Sequence, residues 1–156
     1  MAREEKTIAI AGAGSIGCYV GGCLALAGRK VALLARPLVE AALRQDGLRV
    51  SDLDGRDRRI SPAALSVTAD PAEALAGANI VLVTVKSGAT EEMAALIAAH
   101  ASPEAVVVSL QNGVDNAEKL RAGLAGRHVL AAWCRSMSCS PRMRRRFTCI
   151  APARAK

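Results

Sequence analysis

Short apolar runs alternate with alanine-rich stretches along the first 132 residues. The apolar runs are rich in Val, Ile and Leu, and strands are predicted at 7–11, 31–35, 80–85, 105–110 and 128–132. Helices are predicted between them, with one ending near 27, one at 37–45, one beginning at 70, and two at 90–99 and 115–124. Strands that are apolar throughout and separated by helices form a parallel sheet with both faces covered. The pattern therefore predicts an α/β domain with a doubly wound parallel sheet.

The stretch from 48 to 68 breaks this alternation because it is polar and lacks a long apolar run. Asp54-Gly55 is typical of a hairpin turn, and Leu48, Val50 and Ile60 flank it. We expect small β excursions here, before the chain enters the next crossover.

A glycine-rich segment connects the first predicted strand to the first helix. It reads Gly12-Ala13-Gly14-Ser15-Ile16-Gly17, the G-x-G-x-x-G pattern that binds dinucleotides when it follows a strand and opens a helix. Gly12 permits a tight turn, Gly14 lets the backbone approach a pyrophosphate, and Gly17 lets the helix pack closely on the sheet. Free N–H groups at the helix start attract the phosphates. All six residues are therefore predicted to bind a dinucleotide in a Rossmann-like fold, the alternative being a glycine-rich turn without a ligand.

The residue after the second strand bears on the choice of cofactor. NAD-binding domains usually present Asp or Glu about 20 residues beyond the glycines, where the carboxylate binds the ribose 2′-hydroxyl. This chain has Arg36 there. A guanidinium forms charge-assisted hydrogen bonds with a 2′-phosphate, which a carboxylate repels. Arg36 therefore predicts NADP(H) rather than NAD(H); the alternative is a solvated arginine at a strand end.

The composition excludes several classes of protein. Apolar residues make up 51% of the 156 residues and charged residues 22%, which is typical of a globular domain and argues against disorder. Three aromatic residues are few for stacking on bases, so nucleic-acid binding is not favoured. No apolar run approaches about 18 residues and no signal segment is evident, so we expect a cytoplasmic protein without a membrane span.

The net charge of +7 is confined to residues 133–156. Residues 1–132 contain 14 Lys and Arg against 14 Asp and Glu, whereas 133–156 contain seven cations and no acid. This tail has no helical or strand periodicity, so we expect a domain of residues 1–132 followed by a basic irregular tail. Its cysteines lack zinc-site spacing and a nearby histidine, so no metal site is predicted. They are Cys134, Cys139 and Cys149.

One hypothesis for the tail is a change of reading frame near Ala132. Back-translation of the tail with G/C-ending codons, read two nucleotides later, gives an alternating apolar string typical of a strand. A frameshift would leave the cofactor domain in frame and the tail out of frame.

Three segments together resemble one enzyme family. They are the glycine loop, Val83-Thr84-Val85-Lys86-Ser87 after the third strand, and Ser109-Leu110-Gln111-Asn112-Gly113-Val114 after the fourth. The set resembles the ketopantoate reductases (2-dehydropantoate 2-reductases), NADPH-dependent enzymes of pantothenate biosynthesis, over residues 6 to about 132. The resemblance implies that Lys86 lies near the nicotinamide ribose and the substrate carboxylate, and that Asn112 hydrogen-bonds near the nicotinamide and the substrate. The plain alternatives are an exposed lysine after a strand and an ordinary turn.

The resemblance also implies parts that this chain lacks. In the family, hydride from NADPH reduces a 2-oxo acid, while a lysine acts as general acid and a glutamate helps bind the substrate. Both residues come from a helical C-terminal domain, which we expect to be absent here. No catalytic residue is assigned, because none of the lysines matches that general acid; they are Lys6, Lys30, Lys86, Lys119 and Lys156. Losing a positioned proton donor costs roughly 10²–10⁴ in rate, so we expect a truncated, inactive form.

Three functions stay open from the sequence. The first is the NADP-binding domain of a ketopantoate reductase, with a small 2-oxo acid as substrate. The second is another NADP-dependent 2-oxo-acid or sugar-phosphate dehydrogenase of similar domain plan. The third is a stand-alone NADPH-sensing module whose basic tail recruits an acidic partner or nucleic acid.

Overall fold

The computed structural model describes residues 6–51, 57–113, 115–132 and, for the backbone only, 148–150. The strands are β1 (Ile8–Ala11), β2 (Val31–Leu34), β3 (Leu48–Ser51), β4 (Asp57–Ile60), β5 (Ser66–Thr68), β6 (Ile80–Val83), β7 (Val106–Ser109), β8 (Val129–Ala131) and β9 (Thr148–Ile150). The helices are α1 (Ser15–Leu26), α2 (Pro37–Asp46), α3 (Pro71–Leu75), α4 (Thr90–His100) and α5 (Asp115–Gly123). Two 3₁₀ turns lie at Pro62–Ala64 and Ser87–Ala89.

Six strands form one parallel sheet in the order β5-β2-β1-β6-β7-β8. From β1 the chain moves outward to β2 and β5, then returns to the other side of β1 and continues through β6 and β7 to β8. This reversal creates a crevice at the carboxyl ends of β1 and β6, the position where open α/β sheets bind ligands. The predicted α/β class, a Rossmann-like doubly wound parallel sheet, is confirmed. No helical domain follows β8 within the described ranges.

The sixth strand of this sheet, β5, was not predicted as part of it. Small β excursions were expected between 48 and 68, but Ser66–Thr68 joins the main sheet by pairing with β2. The segment is three residues long and has one large apolar side chain, Val67, so its sequence carries no period. The guanidinium of Arg44 on α2 donates to the carbonyl of Val67 at 2.8 and 3.2 Å. Tertiary contacts therefore define this strand where local pattern does not.

The helices cover the sheet unevenly. One hydrophobic core, around Ile10 and Leu33, lies between one face of the sheet and the helices α1 and α2. A second core, around Ile97 and Leu120, lies between the opposite face and the helices α3, α4 and α5. Along β6 and β7, residues alternate between buried and half-buried, and Leu130 on β8 is 55% exposed. The predicted coverage of both faces therefore holds for β1 and β2, but within the described residues only one face is fully covered over β6–β8.

A second, antiparallel sheet of order β4-β3-β9 packs on the outer side of α1. A Cβ at Gly22 would lie 2.5 Å from Val50 Cγ2, so a glycine lets α1 approach this sheet. Strand β9 falls inside the tail predicted to be irregular, and that prediction is wrong for Thr148–Ile150, because β3 offers the extended backbone a free edge to pair with. The rest of the tail, Cys134 and Cys139 included, and the Asp54-Gly55 turn lie outside the described residues.

One ion pair stabilises the hairpin of β3 and β4. Arg49 Nε donates to Asp57 Oδ1 at 2.8 Å, and Arg49 Nη2 pairs with Asp57 Oδ2. These hydrogen bonds hold the pKa of the exposed Asp57 carboxyl below its ordinary value. The pair's small contribution to stability is therefore complete above the ordinary pKa of Asp and is lost as the pH falls through the lowered one. We expect Arg49→Ala to raise the pKa of Asp57 in a ¹³C carboxyl NMR titration, whereas Arg121→Ala leaves it unchanged.

Candidate functional site

The glycine turn after β1 has the geometry that the motif predicts. Gly12 has φ +108°, a conformation that strongly favours glycine, and a Cβ there would lie 2.5 Å from Val85 Cγ1. A Cβ at Gly17 would lie 2.2 Å from the carbonyl oxygen of Gly12. Gly12 therefore makes the turn, and Gly17 lets α1 pack against it.

Gly14 differs from these two glycines because a Cβ there would meet no protein atom within 4 Å. It is the N-cap of α1, where no side chain caps the helix, and the first turn has no acidic residue. The first N–H groups of a helix have no intrahelical partner, so they are left to bind an anion. The open space at Gly14 and the uncapped helix start fit a pyrophosphate approaching this backbone.

A cleft of about 690 Å³ lies over the carboxyl ends of the strands at the switch point. Its glycine-turn lining consists of Gly12, Ala13, Gly14 and Ser15. Arg36 and Lys86 contribute two cations, and Glu92 contributes one carboxylate. Three other residues predicted to bind the cofactor are not among the lining residues: Ile16, Gly17 and Asn112. The excess of positive charge suits an anionic ligand.

Arg36 lies directly after β2 and forms the N-cap of α2. Its side chain is exposed at the edge of the cleft and makes no hydrogen bond or ion pair with the described residues. The neighbouring Pro37 occupies the first turn of α2, which fixes the direction in which the chain leaves β2. The guanidinium is thus free to bind a phosphate group placed on the β2 side of the glycine turn.

Lys86 and Asn112 follow two neighbouring strands, β6 and β7, and both are exposed. Lys86 lines the cleft at the start of the 3₁₀ turn Ser87–Ala89. Asn112 does not reach the cleft, but its carbonyl accepts a hydrogen bond of 2.6 Å from Asn116 Nδ2. The same amide donates to Ser87 Oγ at 3.1 Å, so Asn116 links the two loops.

Sequence reasoning missed three polar residues that organise this region. Thr84 donates from Oγ1 to the carbonyl of Gly12 at 2.7 Å, which ties the glycine turn to the end of β6. Thr90 and Asn116 are 0% and 3% exposed, and their side-chain oxygens lie 3.0 Å apart. For Thr90 and Asn116 the available signal was a polar residue at a helix position whose neighbours on the same face are buried and apolar, whereas Thr84, directly after β6, carried no such signal.

The described residues provide neither a membrane-spanning helix nor a cluster of metal ligands. None of the helices in this part of the chain is both long and apolar enough to cross a membrane. No group of three or more His, Cys, Asp or Glu side chains within it is close enough together to hold a metal ion.

The parallel sheet with its switch-point cleft, together with the glycine turn, defines the domain as Rossmann-like. A family model described as "Ketopantoate reductase PanE/ApbA" matches residues 8–141 and so extends into the predicted tail. A solved ketopantoate reductase of the same family from Ralstonia eutropha JMP134 is 41% identical with a TM-score of 0.72, and the match covers 80% of this chain and 40% of that one. The chain therefore belongs to the ketopantoate reductase family.

Curated relatives fall into two groups by name. A 2-dehydropantoate 2-reductase from Halobacterium salinarum is 39% identical over 72% of this chain and 36% of its own length. A glycerol-3-phosphate dehydrogenase [NAD(P)+] from Corynebacterium jeikeium is 40% identical over 73% of this chain and 34% of its own length. The chain thus spans roughly a third of these relatives, which are oxidoreductases with different substrates.

Proposed function

We propose that this chain is the NADP(H)-binding domain of a reductase that converts 2-dehydropantoate to pantoate in pantothenate biosynthesis. The observation that carries the proposal is the single cleft shared by the glycine turn, Arg36 and Lys86. Each of these features fits one part of the cofactor. The membership of the ketopantoate reductase family supports the choice of substrate.

In this proposal the backbone of residues 12–17 binds the pyrophosphate, and Arg36 binds the 2′-phosphate on the β2 side. The nicotinamide half lies in this proposal on the opposite side of β1, over β6 and β7; the sheet order supports this, because Lys86 and Asn112 follow those two strands. The cofactor supplies the hydride when it is bound. The Lys86 ammonium attracts the carboxylate of the 2-oxo acid. The amide of Asn112, outside the lining of the cleft but at the neighbouring strand end, orients a substrate that extends from the cleft toward β7. Neither is assigned as the proton donor.

A second candidate is a dehydrogenase of a sugar phosphate, because a glycerol-3-phosphate dehydrogenase is as similar to this chain as the 2-dehydropantoate reductase is. The same cofactor cleft serves both reactions. Arg36 and the glycine turn would act in the same way, so substrate turnover is needed to separate the two.

Titration of the chain with NADPH and NADH, followed through the fluorescence of the reduced nicotinamide, tests the proposal. We expect NADPH to bind at least about tenfold more tightly, because a charge-assisted contact to the 2′-phosphate contributes about 1.5–3 kcal/mol. Equal affinities would contradict the assignment of Arg36, and no binding of either would contradict the cofactor role.

Turnover then separates the candidates. NADPH oxidation that depends on 2-dehydropantoate supports the proposed reaction, whereas NADP+ reduction that depends on glycerol 3-phosphate favours the second candidate. Binding without turnover of either substrate indicates a domain that holds the cofactor but lacks a proton donor, or a module that senses NADPH.

A further inference from the structure

The loops that carry Lys86 and Asn112 are joined by a buried polar network at the N-terminal ends of α4 and α5. Its centre is the contact between Thr90 Oγ1 and Asn116 Oδ1 at 3.0 Å. Thr90 begins α4 and Asn116 is the second residue of α5. Thr90 hydrogen-bonds to the loop before its own helix, and Asn116 hydrogen-bonds to the loops before both helices. The network therefore spans the ends of β6 and β7.

Asn116 forms the direct bridge. Its Nδ2 donates to Ser87 Oγ, one residue beyond Lys86, and to the carbonyl of Asn112. An amide nitrogen has two hydrogens, and both are used in this arrangement. One buried side chain therefore fixes the distance between the two loops.

Thr90 and Gln111 complete the network. Gln111 Nε2 donates to Thr90 Oγ1 at 2.8 Å and to the carbonyl of Val85 at 3.0 Å. Thr90 Oγ1 also lies 3.0 Å from the carbonyl of Ser87, which is a second acceptor for its hydrogen. The backbone on both sides of Lys86 is thus bonded to side chains from the neighbouring strand end or helix.

Helix packing alone does not require this network. Elsewhere α4 and α5 meet through small apolar groups, since a Cβ at Gly123 would lie 2.8 Å from that of Ala94. Polar groups at a buried position carry a desolvation cost, so apolar residues of the same shape would suffice to hold the helices together. Fully satisfied buried networks instead select one geometry of the parts they connect.

We propose that Thr90 and Asn116 are positioning residues that hold Lys86 and Asn112 against the nicotinamide half of bound NADPH. The inference rests on the proposed function. Neither residue touches the cofactor; each acts through the loop that it fixes. In the proposed function the adenosine half lies beyond β1 on the β2 side, away from β6 and β7, so we expect its binding to be independent of the network.

The test compares Thr90→Val, which removes the hydroxyl and keeps the shape, with Thr90→Ser, which keeps the hydroxyl. Two probes are titrated, NADPH and adenosine 2′,5′-bisphosphate, which lacks the nicotinamide half. We expect Thr90→Val to weaken NADPH binding about fivefold to tenfold and to change the affinity for the bisphosphate by less than about twofold. Thr90→Ser keeps both affinities close to those of the unmodified chain.

Hydrogen exchange adds a readout that needs no ligand. In Thr90→Val the amides of Ala89 and Gln111, which donate to the carbonyl of Lys86 and to Ser109 Oγ, are expected to exchange at least about tenfold faster, while those of β1 are unchanged. If this variant unfolds, Ser87→Ala removes one acceptor of Asn116 at an exposed position and gives a smaller change of the same kind.

The outcomes separate this inference from the proposed function. Equal weakening of both probes, or no change in exchange, overturns the positioning role while the proposed function stands. An unmodified chain that binds the bisphosphate and NADPH equally well also overturns it. Failure of the unmodified chain to bind either probe overturns the proposed function and this inference with it.

Discussion

Replacing Gly17 with alanine is expected to lower the thermal midpoint of unfolding by about 8 °C. The added methyl would lie 2.2 Å from the carbonyl oxygen of Gly12 and 2.7 Å from Thr84 Oγ1. Neither atom can move aside easily, because the first is a backbone oxygen and the second donates a hydrogen bond to that same oxygen. Overpacking typically costs about 1–3 kcal/mol, and a clash with backbone exceeds that range at about 3–4 kcal/mol, of which alanine recovers about 1 kcal/mol through its higher helix propensity. The net loss of about 2–3 kcal/mol corresponds to the stated shift, measured by circular dichroism.

Gly14→Ala is the matched control, because it adds the same methyl group to the same motif where nothing lies within 4 Å. We expect its thermal midpoint to stay within about 3 °C of the unmodified chain, since the loss of the glycine N-cap costs up to about 1 kcal/mol and no clash adds to it. Its affinity for NADPH should nevertheless fall at least about tenfold, because the methyl fills the space through which a pyrophosphate approaches. Equal destabilisation by the two substitutions would contradict the packing role of Gly17. Unchanged NADPH affinity in Gly14→Ala would contradict the phosphate role of the loop.

The features that could be predicted from the sequence are those with a local cause. The strands β1, β6 and β7 are apolar runs bounded by glycine or polar residues, and periodicity is enough to find them. The turn at Gly12 depends on a backbone conformation that strongly favours glycine. The capping of α3 by Asp70, which accepts from the amide of Ala72 at 2.9 Å, likewise depends on adjacent residues.

The features that could not be predicted depend on contacts between distant segments. Strand β5 exists because β2 and Arg44 supply its hydrogen bonds, and neither is close to it in sequence. Thr90 and Asn116 are 26 residues apart and look like ordinary helix-start residues until the fold brings them together. Side-chain networks of this kind have no periodicity in the sequence, so neither helix propensity nor the hydrophobic pattern predicts them.

Over β6–β8, one face of the parallel sheet is less well covered by helices than the other. Leu130 is exposed beside the half-buried residues of β6 and β7, on the face opposite α4 and α5. In the described residues this face exposes apolar surface, and the chain spans only 36% and 40% of the length of two proteins that it matches. The cleft lies over the carboxyl ends of the strands, and Leu130 is not among the residues that line it.

Replacing Arg36 with alanine is expected to weaken NADPH binding about 10- to 100-fold and to change NADH affinity by less than about twofold. The guanidinium borders the cleft after β2 and has no partner among the described residues, so its removal leaves no buried group unpaired. The loss is therefore the charge-assisted contact to the 2′-phosphate, about 1.5–3 kcal/mol. Arg36→Glu should go further and favour NADH, because a carboxylate repels the 2′-phosphate and accepts hydrogen bonds from the ribose hydroxyls of NADH.

Arg58→Ala serves as the control for this pair, since it removes the same charge from an exposed position on β4 that does not line the cleft. Fluorescence titrations with NADPH and NADH at low and high salt give the four affinities for each variant. The contact is electrostatic, so the difference in NADPH affinity between the unmodified chain and Arg36→Ala should shrink as salt rises. An NADPH affinity that Arg36→Ala leaves intact would contradict the role of this guanidinium. Equal weakening by Arg36→Ala and Arg58→Ala would show that overall charge, rather than Arg36 itself, attracts the cofactor.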